Sequence, residues 1–211
     1  MTSQAGAQRA GLCDLLEQSG PDAPTLCAGW TTYDLAAHLV LRERRPLQAA
    51  GIAVRALRHA TARAMRRLQE RYGYAELVAL LRSGPPPWSP MRVPWAEAGN
   101  VLEFFVHAED VRRAQPGWTA RPLPFAVQTA LWLRLLHLRR LLGRRSPVGL
   151  ELVRTDTPDA RRVKPGEPAV VVRGLPSELV LFCFGRRDVA DVAFDGHADA
   201  VQRLRAAQLS V

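Results

Sequence analysis

The chain has 211 residues, 47% of them apolar, which is ample for a packed core and long for one small domain. All but one of its 29 basic residues are arginine, Lys164 being the single lysine; with abundant Ala and Leu this is the bias of GC-rich coding, so the net charge of +9 is weak evidence for a nucleic-acid role. The cysteines, Cys13, Cys27 and Cys183, are odd in number and lack ligand-like spacing, which argues against a disulfide framework.

In chain order, a first helix is predicted from about Thr2 to Gln18, ended by the Gly- and Pro-containing loop SGPDAPTLCAGW. A second helix starts sharply, with Thr31 as N-cap, Asp34 at N3 in an approximate capping box, and Trp30 placed to staple onto Leu35. After ERRP, a long Arg-rich helix from about Ile52 to Arg71 reads as the solvated face of an amphipathic helix, without the interleaved aromatics that stack bases. No nucleic-acid partner is expected. A shorter helix from Ala75 to Arg82 leads into GPPPWSPMRVPW, predicted to be irregular, then a helix from Ala96 to Arg113 and a last long helix from about Phe125 to Leu142. The latter stretch is interrupted by Arg134, His137, Arg139 and Arg140, so no membrane span is predicted. The first twenty residues lack a charged segment followed by an apolar core, and a cytoplasmic location is expected.

Beyond Arg145 the pattern becomes α+β. GLELVRTD and PAVVVRG read as strands separated by the turn-rich PDARRVKPGEP, a helix runs from Pro176 to the stop at Gly185, and a strand at DVAFDG precedes a closing helix from about Ala198 to Ala207. The fold expected is mainly α: a helical bundle over 1–145 and a small α+β domain over 146–211.

The chemistry concentrates on two helices. Glu103 and His107 stand four apart in NVLEFFVHAEDVRRA and project from one face, where both can grip one ion; His38, in WTTYDLAAHL, can complete a three-ligand set that leaves a position open, as catalytic zinc sites do. On that helix Asn100, Glu103, His107 and Asp110 form a polar stripe amid apolar residues, so a buried carboxylate there needs a partner: a metal, one of the arginines, or a core histidine. Asp34, one turn before His38, is a candidate to orient its ring; Asp110 is either a carboxylate behind His107 or a partner for Arg113. His59 reads as part of a solvated helix face or as a distant contributor, His137 as a residue of an amphipathic face, and His197 as exposed. Arg186, after the helix-ending Gly185, either caps that helix or clamps a carboxylate. No phosphate loop, nucleophile elbow or paired-cysteine site is present.

Together, GPDAPTLCAGWTTYDLAAHLVLRERRP, the Glu-x-x-x-His of EFFVHAEDVRRAQPGW, and GLPSELVLFCFGR resemble the actinobacterial metal-binding relatives of mycothiol-dependent maleylpyruvate isomerase, over nearly the whole chain. The resemblance implies a DinB-like four-helix bundle carrying a divalent metal, usually zinc, on His38, Glu103 and His107, with Arg186 at the position of an arginine important for activity. It further implies mycothiol as thiol cofactor and a small electrophilic substrate, hence an isomerase or thiol transferase, acting as monomer or homodimer. The PPPWSP loop and the shorter chain depart from the isomerase. A metal-dependent hydrolase using Asp110 or Asp34 as base, and a non-catalytic metal-binding or stress-response protein, are the alternative readings.

Overall fold

A computed structural model describes residues 4–49, 55–93, 96–207 and 209; the predicted helix starts at Thr2 and Ile52 lie outside this range. The chain is mainly helical with a small sheet near its C-terminus, and divides into two compact units, 1–120 and 121–211.

The first unit contains α1 (Gln4–Ser19), α2 (Thr32–Arg44), α3 (Arg58–Arg71), α4 (Tyr74–Arg82) and α5 (Glu97–Arg113). Helix α1 packs on α4 and α5, and α2 packs on α3 and α4. Leu12, Leu16, Leu35, Leu39, Phe104 and Phe105 are fully buried in its core. Apolar residues on every side of α2 and α5 make both interior helices, so the polar groups they carry have to be satisfied within the protein. Glu43 shows this: buried on α2, it is paired with Arg9 of α1. The entry of α2 is fixed by a complete capping box, in which Asp34 Oδ2 accepts the Thr31 backbone N–H at 3.0 Å.

The proline-rich segment after α4 contains one short regular element, a 3-10 turn at Pro90–Arg92, where an irregular run was expected. Ser89 Oγ accepts the Met91 N–H at 3.2 Å, and Pro90 sits at the first position of the turn, where its missing N–H costs nothing.

In the second unit, the predicted helix after Phe125 breaks at Leu138 into α6 (Phe125–His137) and α7 (Arg139–Arg145). The Leu138 N–H bonds back to Leu135 O at 3.0 Å, one residue short of the α-helical repeat. Strands β1 (Gly149–Arg154), β2 (Ala160–Lys164), β3 (Ala169–Gly174) and β4 (Ala193–Gly196) form one sheet in the order β2-β1-β3-β4. β1 runs parallel to β3 and antiparallel to β2, and β3 is antiparallel to β4. The sequence does not announce β2: ARRVK is an edge strand with a largely exposed, charged surface, and it has none of the alternation that marks a half-buried strand.

Helix α8 (Pro176–Cys183) is buried throughout because α6 contacts it as well as β1 and β3, while α9 (Ala198–Ala206) rests on β3 and β4. This packing counts α6 and α7 with the sheet, so the compact units divide after Ala120 and not near Ser146. Side-chain hydrogen bonds fasten α6 to its own unit. Gln128 Oε1 accepts the Ser177 N–H at 2.8 Å, satisfying a free donor at the start of α8, and Gln128 Nε2 donates to Ser177 Oγ at 3.1 Å. Trp132 Nε1 donates to Asp159 Oδ2 at 2.7 Å. Gln128→Ala therefore strands a buried donor, and a loss of about 1–3 kcal/mol is expected in denaturant unfolding. An unchanged unfolding midpoint would show that α6 is not what completes the α8 N-terminus.

Candidate metal centre

Glu103 Oε1 lies 3.3 Å from His38 Nε2 and 3.3 Å from His107 Nε2, so one carboxylate oxygen faces two imidazole nitrogens. The geometry follows from the elements: α5 places Glu103 and His107 one turn apart, and α2, positioned by its capping box, brings His38 opposite them. Both histidines are buried, and their ring centroids are 5.2 Å apart. The separations fit an ion. Ligands at about 2.0–2.1 Å around a tetrahedral centre stand roughly 3.3 Å from one another, whereas charge-assisted N–H···O bonds close to about 2.7–2.9 Å. Two neutral-capable imidazoles and a carboxylate are the donor chemistry of a zinc-type site, and these residues fit the group.

The supporting groups differ on the two sides. His107 Nδ1 donates to Asp110 Oδ2 at 2.9 Å, which leaves Nε2 as the nitrogen turned to Glu103; this is the carboxylate–histidine arrangement that orients a metal ligand. Asp110 is thus the partner of His107, while Arg113 Nε donates to Glu109 Oε2 at 2.7 Å. Asp34 does not orient His38. Its Oδ2 accepts from Thr31 and its Oδ1 from Gln69 Nε2 at 2.9 Å, and His38 Nδ1 is buried without a hydrogen bond. The His38 ring is held by packing on Trp30, centroid to centroid 5.0 Å, so Trp30 serves the site and not only the helix start.

Sequence reasoning missed two further neighbours. Arg42, one turn beyond His38, has Nε 3.6 Å from Glu103 Oε1 and donates from Nη1 to Asn100 Oδ1 at 2.8 Å; its i+4 spacing was the available signal. Cys27 Sγ donates to Asp110 Oδ2 at 3.3 Å, and Cys27, His107 and Asp110 form a second group of donors sharing only His107 with the first. Spacing could not reveal it, because the loop is tied down by a backbone bond from Leu26 N–H to Asp110 O at 3.1 Å.

Arg186 belongs to the second unit. Gly185 has φ +86°, and the Arg186 N–H bonds to Leu181 O at 2.9 Å while the Gly185 N–H bonds to Phe182 O at 3.1 Å, a complete Schellman ending for α8. The Arg186 guanidinium donates to Phe184 O at 2.6 Å, the capping interaction that the sequence allowed. His59, His137 and His197 are exposed.

Electrostatics set the protonation states. Burial holds His38 below its ordinary range, against the pull of its hydrogen bond with Glu103, and so favours the neutral ring. Burial resists ionisation of Glu103, yet the hydrogen bonds from His107 and His38 and the charge of Arg42 outweigh it and hold the carboxyl well below its usual range. Burial likewise resists charging His107, but Asp110, Cys27 and Glu103 outweigh it and hold the ring well above its usual range.

No protein-family profile and no curated protein matches the chain. Among solved structures, the crystal structure of a histidine-to-alanine mutant of the mycothiol-dependent maleylpyruvate isomerase is similar at 18% identity and a TM-score of 0.58, covering 91% of this chain and 90% of that one. The crystal structure of the mycothiol-dependent maleylpyruvate isomerase itself matches with the same identity and coverage and a TM-score of 0.52. At this identity the likeness establishes a shared fold. Among the described residues, no helix is long and apolar enough to cross a membrane.

Two predictions follow from the geometry. His107→Ala should abolish most zinc binding with the helical circular-dichroism signal retained, and Asp110→Asn should weaken it about ten- to a hundredfold; full retention of metal by His107→Ala in elemental analysis would contradict the ligand set. In the metal-free chain the raised His107 contributes stability that is fully present below its ordinary 6.5 and is lost as pH rises through the folded value. The stability difference between the metal-free native chain and His107→Gln should therefore be largest below pH 6.5 and shrink on alkalinisation; a difference that grows with pH reverses the assigned sign.

Proposed function

We propose that this chain is a divalent-metal enzyme that acts with a small thiol, mycothiol being the candidate, on a small electrophilic substrate, as an isomerase or a thiol transferase. The observation that carries the reading is the single Glu103 oxygen 3.3 Å from both His38 and His107 Nε2, set in a fold shared with a mycothiol-dependent isomerase. His38, Glu103 and His107 would hold the ion, most suitably zinc. Bound there, it would supply Lewis acidity that keeps a thiol in its thiolate form near neutral pH. Thiolate addition to an activated double bond, followed by elimination, gives isomerisation; displacement at an electrophile gives transfer.

The residues of the chain divide the remaining work. Asp110 orients His107 and keeps its Nε2 turned inward, Trp30 fixes the His38 ring, and Arg42 keeps Glu103 ionised. The hydrolase reading is disfavoured by two engagements. Asp34 is taken by Thr31 and Gln69, and Asp110 by His107 and Cys27, so neither carboxylate offered as a water-activating base is at liberty for that role. The non-catalytic reading would be favoured by a fourth protein ligand, and Cys27 groups with Asp110 instead of with His38 and Glu103.

Zinc-loaded protein should isomerise maleylpyruvate, or conjugate a bimane electrophile, only when mycothiol is supplied, and His107→Ala should lose this activity together with its metal. Arg186→Ala separates the role that the resemblance implies from the capping of α8: a fall in turnover with metal retained would assign Arg186 to the reaction, and unchanged turnover would leave it as the cap alone. Turnover of an ester with no thiol present would replace the reading with a hydrolase; zinc-loaded protein inert toward all of these would favour the non-catalytic one.

A further inference from the structure

A cleft of about 620 Å³, within the range of small-molecule sites, is lined in part by His38. One wall is α3, whose lining residues Arg58, Ala62, Met65, Arg66 and Gln69 recur at helical spacing and so share a face. The opposite wall is Trp30 with α2. Its interior offers flat apolar surface from Trp30 and Met65, while its α3 side carries two exposed guanidinium groups, Arg58 and Arg66. Among the described residues neither arginine has a carboxylate partner: the nearest polar contact of Arg58 is His59, with Nε to Nε2 at 3.5 Å. The one acidic residue of the lining, Asp34, is committed to Thr31 and Gln69. The cleft thus pairs a ring-sized apolar surface with cations that no carboxylate among the described residues neutralises.

We propose that this cleft binds a small organic molecule bearing an oxyanion, with its flat apolar body against Trp30 and Met65 and its anionic group held by Arg58 and Arg66. A planar guanidinium matches a carboxylate or a phosphate, and placement beside an aromatic wall selects a molecule that carries both an acid and an apolar body. Because His38 forms part of the lining, a molecule seated there lies against the ring that the proposed function assigns to the metal; the inference rests on that reading for its catalytic meaning, and on the cleft alone for binding. It names α3, which the ligand motif does not touch, as the element that selects the small-molecule partner.

Calorimetric titration of the full chain with benzoate, phenyl phosphate and methyl benzoate tests this, on zinc-loaded and metal-stripped protein in parallel. Saturable binding of benzoate or phenyl phosphate is expected in both states, the tighter of the two naming the oxyanion, with the uncharged methyl ester at least tenfold weaker. Arg58→Gln/Arg66→Gln should weaken the anion at least tenfold and leave the ester unchanged. Arg63→Gln/Arg67→Gln, which removes the same charge from a neighbouring face of α3, should stay within twofold of the native chain. The proposal is overturned if neither anion saturates the native protein, if the ester binds as tightly, or if both double variants behave alike. Binding seen only with zinc would place the anion on the metal and also overturn it. Arginine-dependent binding in a chain that takes up no metal would instead sustain the cleft while the metal reading fails.

Discussion

One carboxylate oxygen shared by two buried imidazoles is the constraint around which the helical unit is arranged. Glu103 stays ionised at this place because His38, His107 and Arg42 surround it, and removing any one of them leaves charge that the interior tolerates poorly. The surrounding order follows from that requirement. α2 has to enter at a fixed position, which the Thr31–Asp34 capping box ensures; the loop before it has to bring Trp30 to His38, and Cys27 to Asp110.

The two histidines are prepared differently, and the difference bears on function. His107 has a carboxylate behind it and retains a proton when no metal competes; His38 has only packing behind it, with Nδ1 unsatisfied and the ring biased toward neutrality. A cation arriving at the centre would displace a proton from His107, whereas neutral His38 would only have to move its proton from Nε2 to Nδ1, which would link metal loading to pH. A strongly oriented ligand beside a loosely oriented one also leaves His38 as the side of the site that can adjust, and the cleft approaches from that side.

What the sequence disclosed about the site was local in origin. Helical spacing placed Glu103 over His107, the all-round apolar character of their helix placed His107 inside with Glu103 half-buried beside it, and capping signals fixed the start of the helix that carries His38. Asp110 was half legible, since its spacing allowed either His107 or Arg113 and only three-dimensional packing chose. Cys27 was not legible at all, because its partner lies 83 positions away. Asp34 was misjudged for an instructive reason: the capping box that identified the helix start uses up the carboxylate that spacing had offered to His38. In the second unit the small α+β arrangement was visible in composition, but β2 was hidden by its exposed edge position. The affiliation of α6 was hidden because an amphipathic stripe does not say which element covers it.

X-ray absorption at the zinc edge addresses the central claim most directly, because it reports the ligand atoms without needing a substrate. Zinc-loaded protein should show nitrogen and oxygen scatterers at about 2.0–2.1 Å, imidazole among them and no sulfur, with one sulfur at about 2.3 Å appearing when mycothiol is added. A sulfur ligand before any thiol is supplied would assign the ion to Cys27 with His107 and Asp110, and a spectrum of hexa-aqua zinc would show that His38, Glu103 and His107 hold no metal; either result contradicts the account.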